Sequence, residues 1–309
     1  MEVVVVGAGT MGCGIAQVYA MGGYDVTLTD IQEDILQRAR EKIKDNLNVF
    51  VKYGVLDKHE AYDAFSRIKY SIDNVKAAKN CDLMIEAVPE NLQLKRQIFS
   101  LYEKYSKDNT ILASNTSGIP IREIAGAIKG KERVIGIHFY NPAHLNILVE
   151  IIKTEYTSDD VVNTVKQTLI NCGKKPVLVA DIPGFLHNRL IYALLREAVS
   201  LVEQGLTTIE DVDTVVKEAF GPRFSILGLF GLVDIVGLDI YYSVSSYLNK
   251  HLSNTIESSK WIKAKIDNGE LGMKVGKGFY AWNDEEKKRT MAALETEMIR
   301  LIKEQKNQA

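Results

Sequence analysis

Four consecutive valines, Val3–Val6, run without a break into Gly7-Ala8-Gly9-Thr10-Met11-Gly12. A continuous run of β-branched residues suits a strand buried on both faces. Three glycines spaced G-x-G-x-x-G directly behind it let the backbone turn tightly into a closely packed helix. A strand buried on both faces needs helices on both sides of its sheet. The first half of the chain supplies them: helical patterns separate most of the apolar runs Asp25–Thr29, Ile68–Tyr70, Leu83–Ala87, Ile111–Ser114, Val134–His138 and Leu148–Ile152. This alternation predicts an α/β domain with a mostly parallel sheet. A helix over Asp159–Cys172 and one more strand over Lys175–Ala180 complete it. At Ile182-Pro183-Gly184 a strand cannot continue, because proline removes a donor and glycine loosens the backbone. Beyond this point the pattern is helical, starting with Phe185–Gln204, and no strand–helix alternation returns. The 309 residues therefore divide into an α/β domain over 1–183 and an all-α domain over 184–309.

Composition narrows the function classes. With 46% hydrophobic and 25% charged residues the chain reads as a soluble globular protein. A formal net charge of −2 argues against nucleic acid as a partner. No apolar run approaches the ~20 residues needed to cross a bilayer, so no membrane association is expected. Met1-Glu2 leads straight into the valines with no basic flank, which does not resemble a signal peptide and points to the cytoplasm. The cysteines Cys13, Cys81 and Cys172 are single and widely spaced, so they read as reduced thiols rather than a metal or disulfide framework.

The glycine turn has a chemistry as well as a shape. Its second glycine lets the backbone approach a pyrophosphate, which then meets the free N–H groups at the start of a helix. The second strand ends in an acid, Asp30, eighteen residues after Gly12, close to the ~20 of the dinucleotide fingerprint. A carboxylate there accepts from ribose hydroxyls and repels a 2′-phosphate, which favours NAD over NADP.

Oxidising an alcohol requires a base for the hydroxyl proton while hydride leaves for the cofactor. Histidine, with an ordinary pKa near ~6.5, suits the task. Of His59, His138, His144, His187 and His251, His138 stands out because it ends a strand, and ligands in open α/β sheets bind beyond the carboxyl ends of strands. Glu150 follows in the next apolar run. Antiparallel or crossing neighbours would bring the two together, and a carboxylate beside a histidine fixes its tautomer and raises its basicity. A strand-end histidine that only satisfies a backbone group fits the same spacing.

Six segments in order resemble the 3-hydroxyacyl-CoA dehydrogenase family. They are Gly7–Ile15; Glu86-Ala87-Val88-Pro89-Glu90-Asn91 with Lys95; Ser114-Asn115-Thr116-Ser117; Gly136–Pro142 with Leu148-Val149-Glu150; Pro183-Gly184-Phe185 with Asn188-Arg189; and Gly276–Tyr280. The resemblance implies a Rossmann-type domain followed by a helical domain that pairs as a homodimer. It implies His138 as general base and Glu150 as its orienting carboxylate, with Ser117 and Asn188 holding the substrate's 3-oxygen. Gly7, Gly9, Thr10, Met11, Gly12, Asp30, Glu90, Lys95, Asn115, Asn141 and Lys274 would contact or line NAD. The implied substrate is an L-3-hydroxyacyl-CoA, short chains such as 3-hydroxybutyryl-CoA first, as in fatty acid β-oxidation.

Three departures concern the substrate. Ala143-His144-Leu145-Asn146-Ile147 stands where the family usually carries a proline and a methionine, so His144 and Asn146 could read a polar group or merely vary a loop. The arm Lys42–Lys58, with Asn46, Lys52, Tyr53 and Lys58, matches the family's CoA-binding stretch only loosely. Arg223, in Phe220-Gly221-Pro222-Arg223-Phe224, is similar to the lambda-crystallin, gulonate and carnitine dehydrogenase branches and could pair with a carboxylate. The alternatives are therefore a dehydrogenase for a non-CoA hydroxy compound, or an NAD-binding protein without activity, as crystallins are. Leu190–Leu201 and Phe224–Val236 offer apolar surface for the expected dimer.

Overall fold

A computed structural model describes residues 1–308, with side chains through residue 306. Eight strands form one sheet in the order β3-β2-β1-β4-β5-β6-β7-β8. They are β1 (Glu2–Val6), β2 (Asp25–Thr29), β3 (Ile68–Ser71), β4 (Leu83–Glu86), β5 (Ile111–Ser114), β6 (Val134–Phe139), β7 (Leu148–Lys153) and β8 (Lys175–Ala180). All eight strands expected from the sequence are present, with ends shifted by at most one residue. Strands β3 to β6 run parallel; β7 is antiparallel to β6, and β8 is parallel to β7.

The valine run shows how the sheet divides the core. Successive side chains point to opposite faces. Val3 and Val5 join Ile15, Tyr19, Leu28 and Ile43 on one face, while Val4 and Val6 join Phe99, Tyr102, Leu112 and Ile121 on the other. Helices α1 (Thr10–Met21) and α2 (Glu33–Lys52) cover the first face, α3 (Lys58–Ser66) and α4 (Asn74–Ala78) follow, and α5 (Leu92–Tyr105) and α6 (Ile121–Ala125) cover the second. Helix α7 (Asp159–Asn171) leads into β8.

The chain separates into two units, Met1–Leu186 with Ala292–Ala309, and His187–Met291. This corrects the expected extent of the helical domain. Its end does not stay there, because the last helix carries Met298, Ile299 and Ile302 on one stripe, and Ile299 is buried against Phe50, Val55 and Leu145 of the first unit. Lys303 and Lys306 donate to the Tyr53 and Val55 carbonyls.

The second unit contains α8 (His187–Glu203), α9 (Ile209–Val215), α10 (Gly221–Val236), α11 (Leu238–Leu248), α12 (Lys260–Asp267) and the first turns of α13 (Asp284–Gln308). A π-helical stretch, Val216–Phe220, joins α9 to α10. Gly228 breaks the helical geometry of α10 with φ 66°. No residue of α8 to α12 is buried. By length and composition the helical run Ile209–Val236 is apolar enough to cross a bilayer. Arg223 and Asp234 interrupt the apolar stretch within that run, so it is no continuous apolar segment.

Candidate active site

The glycine turn leaves β1 for α1. Gly7 has φ 101°, and a Cβ there would lie 2.7 Å from the Ala87 carbonyl oxygen. At Gly12 a Cβ would sit 1.7 Å from the Gly7 carbonyl oxygen, so helix and strand meet too closely for any side chain. Gly9 is different. Its φ is −71° and a Cβ would meet nothing within 4 Å. Neither conformation nor protein packing requires glycine there, which leaves close approach of a ligand to the backbone. No side chain caps the start of α1, so its first N–H groups remain available to an anion. These features fit a dinucleotide pyrophosphate. Asp30 follows β2 and accepts from the Ala8 N–H at 2.8 Å, bracing the turn.

The neighbouring strand ends are organised by Glu86, a residue that the family segment includes but to which the sequence assigns no role. Glu86, fully buried at the end of β4, accepts from Lys95 Nζ at 2.8 Å, Ser114 Oγ at 2.6 Å and the Val88 N–H at 2.8 Å. Lys95 is 1% exposed and also pairs with Glu90 at 3.1 Å. It is a buried ionic tie, not a solvated helix lysine. Burial would raise the Glu90 carboxyl, but the Thr116 hydroxyl, Lys95 and the Gly118 N–H hold it below the usual carboxylate range. Asn115, buried after β5, accepts from the Phe139 N–H at 2.9 Å, which fixes its amide against the end of β6. Asn141 lies exposed just beyond β6.

His138 and Glu150 are opposite residues on the antiparallel β6–β7 ladder. Of the two arrangements the sequence left open, the antiparallel one is found. His138 Nδ1 lies 2.9 Å from Glu150 Oε2, and Nε2 lies 3.1 Å from Ser117 Oγ. Both partners of the dyad are nearly inaccessible, at 4% and 1% exposure. A carboxylate accepts only, so Nδ1 carries the proton in the neutral ring and Nε2 presents its lone pair on the Ser117 side. The Leu186 N–H donates to Glu150 Oε1 at 2.9 Å. Two rings wall the imidazole, Tyr140 at 4.8 Å and Phe185 at 5.6 Å between centroids. Burial, followed by the nearby Glu150 carboxylate, pushes the Tyr140 phenol well above its ordinary pKa. Phe185 holds a left-handed φ of 48°, a strained state that persists where surrounding contacts impose it. Pro183-Gly184-Phe185 is thus more than a boundary; it folds back over the dyad.

Two sequence candidates move away from the site. His144 packs against Phe50, at 5.9 Å between rings. Burial, with Lys174 and Lys42, lowers its pKa to about 4. Asn146 donates to the Tyr140 and Pro142 carbonyls within its own loop. Neither is placed to read a substrate at His138. Asn46 is also withdrawn: it is buried and donates to Gln17 at 3.0 Å. In the second unit, Asn188 is half-buried near the start of α8, Lys274 is exposed, and Arg223 is exposed and donates to the Ala219 carbonyl. Cys13 and Cys81 are buried thiols, while Cys172 is half-buried; burial raises all three pKa values, to between about 11 and about 12. Among the described residues no group of His, Cys, Asp and Glu is placed to hold a metal ion.

The description "3-hydroxyacyl-CoA dehydrogenase, NAD binding domain" matches residues 2–182, and the C-terminal domain of the same family matches residues 184–282. The chain belongs to the 3-hydroxyacyl-CoA dehydrogenase family. It is an oxidoreductase of that NAD-dependent family, and its cofactor is NAD. Among its relatives, 5-formyl-3-hydroxy-2-methylpyridine 4-carboxylate 5-dehydrogenase of Mesorhizobium japonicum is 36% identical, over 94% of each chain. The human mitochondrial hydroxyacyl-coenzyme A dehydrogenase is 37% identical, over 91% of each. A crystal structure of the pyridine carboxylate enzyme, described as an NAD+-dependent dismutase, overlays with a TM-score of 0.90 at 34% identity, covering 99% of this chain and 98% of that one. The (S)-3-hydroxybutyryl-CoA dehydrogenase of Ralstonia eutropha overlays with a TM-score of 0.77 at 32% identity, covering 92% and 99%.

Proposed function

We propose that this protein oxidises the 3-hydroxyl of a short-chain L-3-hydroxyacyl-CoA, such as 3-hydroxybutyryl-CoA, to the 3-ketone, with His138 as the general base. The observation that carries the reading is the His138–Glu150 rung, with Ser117 on the free nitrogen of the ring. Bound NAD+ supplies the hydride acceptor. Nε2 of His138 takes the hydroxyl proton as the C3–H bond gives up its hydride and the C=O bond forms. Glu150 keeps Nδ1 protonated and stabilises the imidazolium that results. Ser117, beside Nε2, holds the 3-oxygen, whose charge changes during the step; the family resemblance alone adds Asn188 to that role. The backbone of Gly7, Gly9, Thr10, Met11 and Gly12 cradles the pyrophosphate and Asp30 the adenosine ribose. Glu90, Asn115 and Asn141 line the rest of the cofactor, Lys95 supports that wall from within through Glu86 and Glu90, and Lys274 is assigned to the cofactor by the family resemblance alone.

A second reading has its own support. The 0.90 overlay with a pyridine carboxylate dehydrogenase spans nearly the whole chain, and on the arm Asn46 is already engaged by Gln17. Both favour a hydroxy compound without CoA, with carnitine, gulonate and free 3-hydroxy acids as candidates. A panel of these substrates with NAD+, followed at the NADH absorbance band, separates the readings. Turnover of 3-hydroxybutyryl-CoA far above the others supports the first, and turnover of a free acid alone overturns it. Binding of NADH with no turnover of any panel member would return the crystallin-like alternative. His138→Gln is expected to keep NADH affinity within twofold and to lose about a thousandfold in kcat, within the usual range for a general base. Near-normal turnover in that variant would remove His138 from the role.

The exposed faces of α8 to α11 belong, in this reading, to a homodimer interface. Leu190, Tyr192, Ile226, Phe230, Ile235 and Tyr242 are among the large apolar side chains open to solvent there, and such a surface needs cover.

A further inference from the structure

The connector between β6 and β7, residues 140–147, joins the two halves of the His138–Glu150 rung. Three parts of the first unit hold it. Ala143 is buried against α1, so closely that a Cβ at Gly14 would come within 2.9 Å of its own Cβ. Leu145 is buried with Phe50, Val55 and Ile299, the last from α13. From the turn before β8, Lys174 Nζ donates to the Ala143 carbonyl at 2.8 Å and to the Asn146 carbonyl at 2.6 Å. Asn146 relays the grip inside the connector, through the Tyr140 and Pro142 carbonyls.

Lys174 is an unusual residue to find here. It is 7% exposed, and among the described residues no carboxylate pairs with it. A buried ammonium without a counter-charge is unfavourable, and burial lowers its pKa to about 8. Its titratable neighbours, the Cys172 thiol and the His144 imidazole, carry no carboxylate charge to neutralise it. A cavity of about 120 Å³ adjoins it, lined by His144, Ile147, Cys172 and Ile302 among others. Apolar side chains could fill that space at less expense. What an ammonium adds is several donors on one atom, here used to gather two carbonyls three residues apart.

We propose that Lys174 is a positioning residue of the dehydrogenation site. It fastens the β6–β7 connector so that Asn141 at one end and Glu150 beyond the other stay in register with His138. The inference rests on the reading of His138 as base and Asn141 as a cofactor contact. The ladder hydrogen bonds already align the strands themselves. The connector has no such ladder, only turn hydrogen bonds of its own to the Pro142 carbonyl, and Lys174 adds two more from outside it.

The test uses the full-length protein and the variants Lys174→Met, which keeps the length of the stem and removes every N–H, and Leu145→Ala, which loosens the same connector on its α13 side. Lys175→Met, at an exposed neighbour, is the control. Hydrogen–deuterium exchange over residues 140–147 is expected to quicken at least tenfold in both test variants, with β1 and β4 unchanged. The NADH dissociation constant should rise about tenfold and kcat fall tenfold or more, with a smaller change in substrate KM. The control should match the unmodified protein in all of these. Faster exchange with NADH affinity and kcat within twofold of the unmodified protein would overturn the proposal, leaving a lysine that only stabilises the fold. Unchanged exchange would overturn it as well. Turnover of no substrate by the unmodified protein, with NADH affinity still lost in Lys174→Met, would remove the dehydrogenation reading and leave the anchoring of the cofactor side intact.

Discussion

Two glycines three residues apart are required for different reasons, and the difference can be measured. Gly12→Ala drives a methyl into the Gly7 carbonyl, so the turn must open. We expect a loss of about 3 kcal/mol in stability together with loss of NADH binding. Gly9→Ala adds a methyl to open space at an ordinary φ. Its stability by urea unfolding should stay within about 0.5 kcal/mol of the unmodified protein, while NADH affinity falls at least tenfold. Equal NADH affinity in Gly9→Ala would mean that the pyrophosphate does not lie against this turn. His144 gives a prediction in pH. Its folded pKa of about 4 lies below the ordinary 6.5, so on acidification the unfolded chain takes up the proton first. The stability contributed by the neutral ring is complete above pH 6.5 and is lost as pH falls from there towards 4, by up to about 3 kcal/mol. His144→Leu should lose correspondingly less stability between pH 7 and pH 4.5. Equal losses in the two proteins would assign the acid sensitivity elsewhere.

At the scale of elements, legibility followed burial. The inner strands β1, β4, β5 and β6 could be read because a strand covered on both faces is a near-continuous apolar run, whereas the outer β3 and β8, only partly covered, were legible from β-branched residues between turn signals. The His138–Glu150 rung could be read in part: two apolar runs joined by a short connector, each bearing one of the two residues, fit an antiparallel pair. What could not be read was the side-chain company of polar residues. Glu86 looks like any strand-end acid until Lys95 and Ser114 converge on it, and Lys174 looks like half of a surface Lys-Lys pair. Pro183-Gly184 signals a break and conceals that Phe185 then packs on His138 and the Leu186 N–H binds Glu150. The last helix announces an apolar stripe at Met298, Ile299 and Ile302, but no pattern in a sequence names the partner of a stripe. That partner is the Phe50–Val55 end of the arm, and removing residues 292–309 should expose it. Such a truncation is expected to lower the melting temperature by several degrees; an unchanged melting curve would mean that Ile299 contributes little where it docks.

For the molecule as a whole, the contrast between the units decides what to expect. The first has two cores, one on each face of its sheet. The second has helices with no buried residue from α8 through α12, and its run Ile209–Val236 would satisfy a bilayer by length and composition. A partner chain and a lipid phase make opposite demands on the same surface. We expect light scattering to give the mass of two 34.6 kDa chains without detergent, and no transfer into a detergent phase. A monomer of half that mass in detergent-free buffer would contradict the dimer, and partition into detergent would point to the bilayer.

The His138–Glu150 rung also bears on descent. In the proposed function its two members are base and orienting carboxylate; they are twelve residues apart on one hairpin, so any exchange of segments that moves residues 134–153 transfers both at once. Ser117 and the glycine turn come from elsewhere in the chain and have to be present already in the recipient. A lineage can therefore replace everything that touches the substrate's tail, piece by piece, while its proton-transfer pair passes on as a single heritable block.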